Sequence, residues 1–220
     1  MNEIFLDIET TGLSFKDNHK VVEIACIETE ELVPNKKVFH ALINPERDVP
    51  EEAYKVHGYS TQFLKNKPIF KEIADDFLNF IKDKSLIIHN ASFDIPFLNY
   101  ELNMMKRDAI KNNKIIDSLD LARSKFPGSS NSLDALCKRF NIDLTRRSKH
   151  NAILDCELLR EVYINLLDVK EPKLSFSGSA EKKLVKNSFV RYSKKVVDIN
   201  DKEKHSHSLF LKNDLKKNYY

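Results

Sequence analysis

Apolar positions recur along the chain with two different periods, and the change from one to the other separates its elements. The run Ile4-Phe5-Leu6-Asp7-Ile8 is nearly continuous and ends in Thr10-Thr11-Gly12, which reads as a buried strand entering a turn. Two further β-rich runs, Val21 to Ile27 and Lys37 to Ile43, are bounded by polar or proline-containing segments, so an antiparallel meander of three strands is expected. Residues 50–58 read as a short helix with Pro50 at its start and Gly58 at its end. From Phe70 the apolar positions Phe70, Ile73, Ala74, Phe77, Leu78 and Ile81 take the 3, 4 spacing of an amphipathic helix.

The second half is mainly helical. Leu86 to Ile88 is a short strand running into His89-Asn90, and a helix is expected from Ser92 to about Lys106, with Pro96 tolerated by its place near the first turn. A strand at 114–117 and helices at 118–126 and 132–140 follow. The last strong helix runs from about Asn151 to Asp168 and should bury Ile153, Leu154, Leu158, Leu159, Val162, Tyr163, Leu166 and Leu167. Strands interleaved with helices predict an α/β fold with helices against a mixed sheet. Beyond Pro172 no long apolar periodicity remains, and Ser175 to Ser179 is linker-like. The expected organisation is therefore a domain at 1–170 and a linker with a flexible C-terminal tail at 171–220.

Composition places the chain in the globular class, with 220 residues, 41% hydrophobic and 31% charged. No stretch approaches the ~18 apolar residues needed to span a bilayer, and Met1-Asn2-Glu3 opens no secretory signal. A cytoplasmic protein with no membrane partner is expected. Cys26, Cys137 and Cys156 have neither pairing nor metal spacing and read as small core fillers. The net charge of +3 is unevenly shared: 12 Lys+Arg against 5 Asp+Glu from Lys173 onward leave −4 for the preceding part. A basic tail on an acidic domain suits nucleic acid or an acidic protein surface, though a solvated charge run gives the same count.

The acids supply the candidate chemistry. Asp7 and Glu9 project from the same face of their strand about 7 Å apart, given a rise of ~3.3 Å per residue. Like charges there repel unless a cation or a shared proton compensates, which points to a divalent metal; a strand edge facing water is the alternative. Asp94 falls in the first turn of a helix that follows a strand, near the positive end of the dipole. Asp155 lies one turn inside the final helix, and His150 five residues earlier would be rotated about 140° from it on that helix. The two converge only if His150 sits on the preceding loop.

Phe5-Leu-Asp-Ile-Glu-Thr-Thr-Gly-Leu13, His89-Asn-Ala-Ser-Phe-Asp94 and His150-Asn-Ala-Ile-Leu-Asp155, in this order, resemble the three motifs of the DEDDh 3′-to-5′ exonucleases. The resemblance covers residues 3 to about 168 and implies the ribonuclease H-like fold, a mixed five-stranded sheet flanked by helices. It implies metal-dependent phosphodiester hydrolysis with two Mg²⁺ or Mn²⁺ held by Asp7, Glu9, Asp94 and Asp155, about 3.5 to 4 Å apart. By similarity Asp7 would bridge both ions, Glu9 and Asp155 would complete the nucleophile-side ion, Asp94 would support the other, and His150 would take the proton from the attacking water. By the same resemblance Thr10 and Thr11 would present hydroxyls and backbone amides beside the metals, His57 and Asn90 would hold sugar or phosphate, and Leu13 or Phe93 would wedge or stack on a base; a packing role is the alternative for each. Arg146, Arg147 and Lys149 either neutralise phosphates or form a solvated loop.

The tail bears on which member of the family this is. Glu171-Pro-Lys-Leu-Ser-Phe176 is similar to the hexapeptide by which proofreading subunits of bacterial DNA polymerase III touch the sliding clamp, with Glu171 where those carry glutamine. Lys194 to His205 loosely resembles the segment that docks on the polymerase. The implied partners are a single-stranded 3′ end of DNA, the catalytic (alpha) subunit of DNA polymerase III, the sliding clamp and a small theta-like accessory subunit. A stand-alone RNA-trimming or oligonucleotide exonuclease and a non-catalytic polymerase adaptor are the alternative readings; the tail speaks against the first and the complete acid set against the second.

Overall fold

Alternation along the first strand decides the layering of the domain. In the computed structural model, which describes residues 2–111, 115–145, 147, 149–167 and 200–213, strand β1 spans Asn2–Thr10. Its even positions Ile4, Leu6 and Ile8 join Phe77 of helix α3 (Phe70–Ile81) and Phe97 and Leu98 of α4 (Ala91–Met104) in one core. On the opposite face Phe5 joins Cys156, Leu159 and Tyr163 of α7 (Ala152–Leu166) in a second. Asp7 and Glu9 share the parity of Phe5, so they project toward α7.

β1 pairs antiparallel with β2 (Val21–Glu30), which pairs antiparallel with β3 (Val33–Leu42). β4 (Ser85–Ile88) and β5 (Ile115–Asp117) run parallel to β1, giving one mixed five-stranded sheet of order β3-β2-β1-β4-β5. The meander is as expected, but β3 begins at Val33 rather than near Lys37. Glu31 and Leu32 take left-handed φ of 51° and 66°, the backbone of a tight two-residue hairpin, and Pro34 is tolerated because β3 is an edge strand.

Helices α1 (Glu51–His57), α5 (Ser118–Lys125) and α6 (Leu133–Arg139) lie where proline, glycine and apolar spacing predict. The short α2 (Thr61–Leu64), capped by the Ser60 side chain, and a 3₁₀ turn at Phe15–Asp17 carry too few apolar residues to show a period. Because α4 begins at Ala91, Pro96 falls in its second turn rather than its first. α7 differs from expectation in its buried stripe. Leu167 is exposed, Ile153 and Leu154 are only half-buried, and Ala152 and Cys156, small residues that let the helix approach closely, join the expected Leu159 and Tyr163 against the sheet. All three cysteines are free and buried, as expected of core fillers.

The chain divides into two compact units, Met1–Lys173 and Leu174–Tyr220. Within the second, α8 (Asp201–Asn213) is a helix that the lack of apolar periodicity does not predict. Its signal is local: the Asn200 side chain accepts from the Glu203 N–H at 2.9 Å while the Glu203 carboxylate accepts from the Asn200 N–H at 3.0 Å, a reciprocal capping box. Glu171 to Phe176 and Lys194 to Ile199 lie outside the described residues. Among the described residues no helix is long and apolar enough to cross a membrane.

Candidate active site

Each acid of the site is aimed by the end of an element. Asp155 stands in the first turn of α7, whose N-cap Asn151 accepts from the Leu154 N–H at 3.1 Å. His150 precedes that cap on the loop, as its offset from Asp155 requires, and its backbone N–H donates to the Val56 carbonyl of α1 at 3.1 Å. Gly58, at φ 81°, caps α1 where any Cβ would strike the Lys149 side chain. Asp94 lies in the first turn of α4. That turn is held by Asp117 at the end of β5, whose carboxylate accepts from the backbone N–H groups of Asn90 and Ala91 at 3.0 and 2.9 Å and from Leu119 at 2.9 Å.

These positions converge on an open cleft of ≈ 740 Å³ lined by Asp7, Glu9, Asp94, His150 and Asp155 together with Asn90 and Arg147. Ligand atoms of Glu9, His150 and Asp155 all lie within 4.8 Å of one another. His150 Nδ1 is 3.5 Å from Asp155 Oδ2. Burial first, and then the charges of Asp94, Glu9 and Asp155, push the Asp7 carboxyl well above the usual carboxylate range. Burial and the neighbouring Asp155 and Glu23 push Glu9 up to about 8, and burial pushes Asp94 up to about 8. Three crowded carboxyls that resist ionisation beside the Asp155 carboxylate, in a cleft open to water, are the electrostatic signature of a cation site. Oxygen donors suit hard divalent ions, and the residues present fit such ions well.

Arg147 enters the cleft with its side chain only 7% exposed; its Nε stands 2.6 Å from Asp155 Oδ1 and its Nη2 donates to Asp155 Oδ2 at 2.7 Å. Nη2 is also 2.9 Å from His150 Nδ1, and Nη1 pairs with Asp134. Its carboxylate partners hold its guanidinium charged against the cost of burial. The solvated-loop reading therefore fails for Arg147; Arg146 lies outside the described residues, and the Lys149 ammonium sits over the Tyr54 ring at 4.7 Å.

All of the positions expected to meet the nucleotide except Asn90 line an adjoining cleft of ≈ 700 Å³ that shares Ile8, Glu9 and Phe93 with the first. Thr10, Thr11, Leu13 and His57 belong to this second cleft, and Asn90 to the first. The threonine hydroxyls are engaged inside the turn: Thr10 donates to the Gly12 carbonyl at 2.7 Å, and Thr11 accepts from the Lys20 N–H at 3.0 Å and lies 3.1 Å from His19 Nδ1. Gly12 is required here because a Cβ would meet the His19 ring at 2.4 Å. Leu13 projects into solvent, 88% exposed, at the mouth. His57 is buried, its Nδ1 accepting from the Tyr59 N–H at 3.0 Å, and desolvation lowers it to about 4, so it is neutral. Phe93 packs on Phe97 with ring centroids 5.1 Å apart.

Glu23 and Asp117 join the site without having been expected there. An acid inside the apolar run Val21 to Ile27 is the available signal for the first, and an acid between strand β5 and helix α5 for the second.

The family model described as Exonuclease (RNase_T) matches residues 4–163. The chain is 56% identical over 169 residues to the DNA polymerase III subunit epsilon of Rickettsia prowazekii, covering 76% of this chain and 74% of that protein. It is 45% identical over 169 residues to the subunit of the same name from Escherichia coli K12, covering 74% and 70%. Among solved structures it is similar to the nuclease domain of 3′hExo, a DEDDh family member bound to rAMP, with a TM-score of 0.67 at 15% identity over 77% of this chain and 92% of that one. Exonuclease X in complex with 5′ overhanging duplex DNA gives 0.59 at 22%, over 76% and 92%. These two share the ribonuclease H-like fold with the chain.

Proposed function

Since the chain belongs to the RNase_T exonuclease family and is a hydrolytic 3′-to-5′ exonuclease related to DNA polymerase III epsilon subunits, we propose that it removes mispaired primer termini through the carboxylate–histidine site at the C-terminal end of β1. The family generally uses divalent metals. We assign two Mg²⁺ or Mn²⁺ to Asp7, Glu9, Asp94 and Asp155; when bound, such ions supply the charge that acidifies water and stabilises a leaving oxygen. The observation that carries this reading is the convergence of Glu9, His150 and Asp155 within 4.8 Å beside the raised carboxyls of Asp7 and Asp94.

The chain's own groups do the rest. His150, its side chain half exposed at the cleft, accepts a proton from the attacking water. Arg147 neutralises charge beside Asp155. The apolar cleft of Leu13 and Phe93 receives the terminal base, and neutral His57 faces the sugar as a hydrogen-bonding group rather than a cation. The frayed end of a mismatch reaches this cleft more readily than a paired end. Two further assignments belong to the same reading: residues 1–170 as the exonuclease domain, and 171–220 as the segment that contacts the alpha subunit, the sliding clamp and a theta-like subunit in the cytoplasm. Relatedness to epsilon subunits favours this over stand-alone RNA trimming.

The test is degradation of a 3′-labelled primer, matched or mismatched at its end, with Mg²⁺. Faster release from the mismatch is expected; equal rates on both ends, or faster trimming of RNA of the same sequence, would refute proofreading.

A further inference from the structure

Glu23 is fully buried on β2, across the β1–β2 ladder from Glu9. Its Oε1 accepts from Asn151 Nδ2 at 3.2 Å and stands 2.7 Å from His40 Nε2. Its Oε2 accepts from the Tyr59 hydroxyl at 3.0 Å and from the Ala152 N–H at 3.1 Å. Asn151 is the N-cap of α7 and Ala152 its first residue, so one carboxylate of the sheet holds the helix start between His150 and Asp155. Asn151 also donates to the Tyr59 hydroxyl at 2.9 Å, and the Tyr59 ring stacks on His57 with centroids 5.1 Å apart. The same group thus joins three walls of the site: the loop of His150, the helix of Asp155 and the segment of His57.

A carboxylate is an unfavourable choice for a merely structural link at this place. Its charge adds to those that push Asp7 and Glu9 upward, and taking it out of water carries a desolvation cost that an apolar side chain does not. An apolar contact would join sheet and helix without that cost. What a charged acceptor supplies is shorter and more directional hydrogen bonds, including one to a helix N-terminal amide, and so a fixed geometry. We propose that Glu23, acting with Tyr59, is a positioning residue for hydrolysis: it fixes the start of α7 so that His150 and Asp155 keep their places relative to Glu9. This rests on the reading of His150 as proton acceptor.

The test compares Glu23→Gln and Tyr59→Phe with Glu28→Gln in the full chain. Glu28 is an equally buried acid of the same strand whose partners Lys84, Asn35 and Lys37 lie outside both clefts. Readouts are kcat and KM on a single-stranded oligonucleotide with Mg²⁺, the melting temperature, and the NMR signals of the His150 ring. Glu23→Gln is expected to lower kcat about tenfold or more with KM within about twofold, since small displacements of reacting groups are costly. Tyr59→Phe should lower kcat in the same direction by less, and both should broaden or split the His150 signals. Glu28→Gln should lower the melting temperature and leave kcat alone.

A Glu23→Gln variant with wild-type kcat, or one whose loss matches that of Glu28→Gln, would overturn the proposal. If Glu23→Gln fails to fold, Tyr59→Phe decides, because it removes a single oxygen. His150→Ala measured alongside separates the two readings: full activity there sinks the proton-acceptor role, whereas loss there with intact Glu23→Gln sinks only the positioning role.

Discussion

The guanidinium of Arg147 covers both oxygens of Asp155, at 2.6 and 2.7 Å, and so occupies the approach that a cation bound to this carboxylate needs. A positive side chain stabilises the acid cluster when ions are absent and competes with them when they are present.

Arg147→Met should therefore lower the Mg²⁺ or Mn²⁺ concentration required for half-saturation by about three- to tenfold, corresponding to roughly 1 kcal/mol of relieved repulsion. Calorimetric titration of the DNA-free protein measures this directly. If Arg147 also neutralises substrate phosphate, KM for DNA rises in the same variant and becomes less sensitive to salt. Weaker ion binding in Arg147→Met would contradict the competition.

If Asp7 holds the ions assigned to it, Asp7→Ala should reduce metal-dependent cleavage by at least about a hundredfold, because several kcal/mol of charge stabilisation depend on such ions. Its effect on stability has the opposite sign. Asp7 is raised by burial and by four neighbouring carboxylates, so its removal relieves repulsion in the ion-free protein. The melting temperature in chelator should not fall, and a folded, inactive variant is the expected result. Cleavage at the wild-type rate would remove Asp7 from the site.

Leu13 offers a contrasting case, since an apolar side chain 88% exposed contributes little to folding. Leu13→Ala should leave the melting temperature within the error of measurement and raise KM for single-stranded DNA about fivefold, corresponding to about 1 kcal/mol of apolar contact with a terminal base. An unchanged KM would place the base elsewhere.

Much of this site is legible in the order of residues alone, for identifiable reasons. The period of two places Asp7 and Glu9 on one face, and the rotation of a helix forces His150 onto the loop before Asp155; both are rules of local geometry. Glu23 is not legible in the same way. It looks like an interruption of an apolar strand, and the partners that explain it, Tyr59 and Asn151, lie 36 and 128 residues away. Arg147 is ambiguous in sequence because a loop cation reads alike whether it faces water or a buried acid. The outer edge of the fold departs from expectation where position in the sheet overrides propensity: Pro34 argues against a strand except at an edge, and β3 is an edge.

Removing residues 174–220 tests the division of labour between the two units. The site lies wholly within Met1–Lys173, so hydrolysis of single-stranded DNA should persist within about twofold, the range expected for changes remote from the chemistry. Copurification with the polymerase alpha subunit should be lost. Retained association would assign docking to the exonuclease domain instead.

The raised carboxyls also fix how stability depends on pH. Glu9 and Asp94 move from ordinary values of 4.5 and 3.8 up to about 8 in the folded chain, so between those limits the folded state holds protons that the unfolded state has released. Their contribution is complete at low pH and is lost as pH rises through about 8, at up to about 1.4 kcal/mol per pH unit for each proton held. His57 works in the other direction, since its lowered value of about 4 makes stability rise with pH up to its ordinary value of 6.5. The carboxylates are therefore isolated between pH 6.5 and 8. In chelator the melting temperature should fall across this interval, and the fall should be smaller in Glu9→Gln. Saturating Mg²⁺ or Mn²⁺ replaces the protons as the compensating charge, so the fall should disappear and the stabilisation by metal should grow with pH. A melting temperature in chelator that rises between pH 6.5 and 8 would mean that these carboxyls are ionised in the ion-free fold, with Arg147 sufficient to balance them.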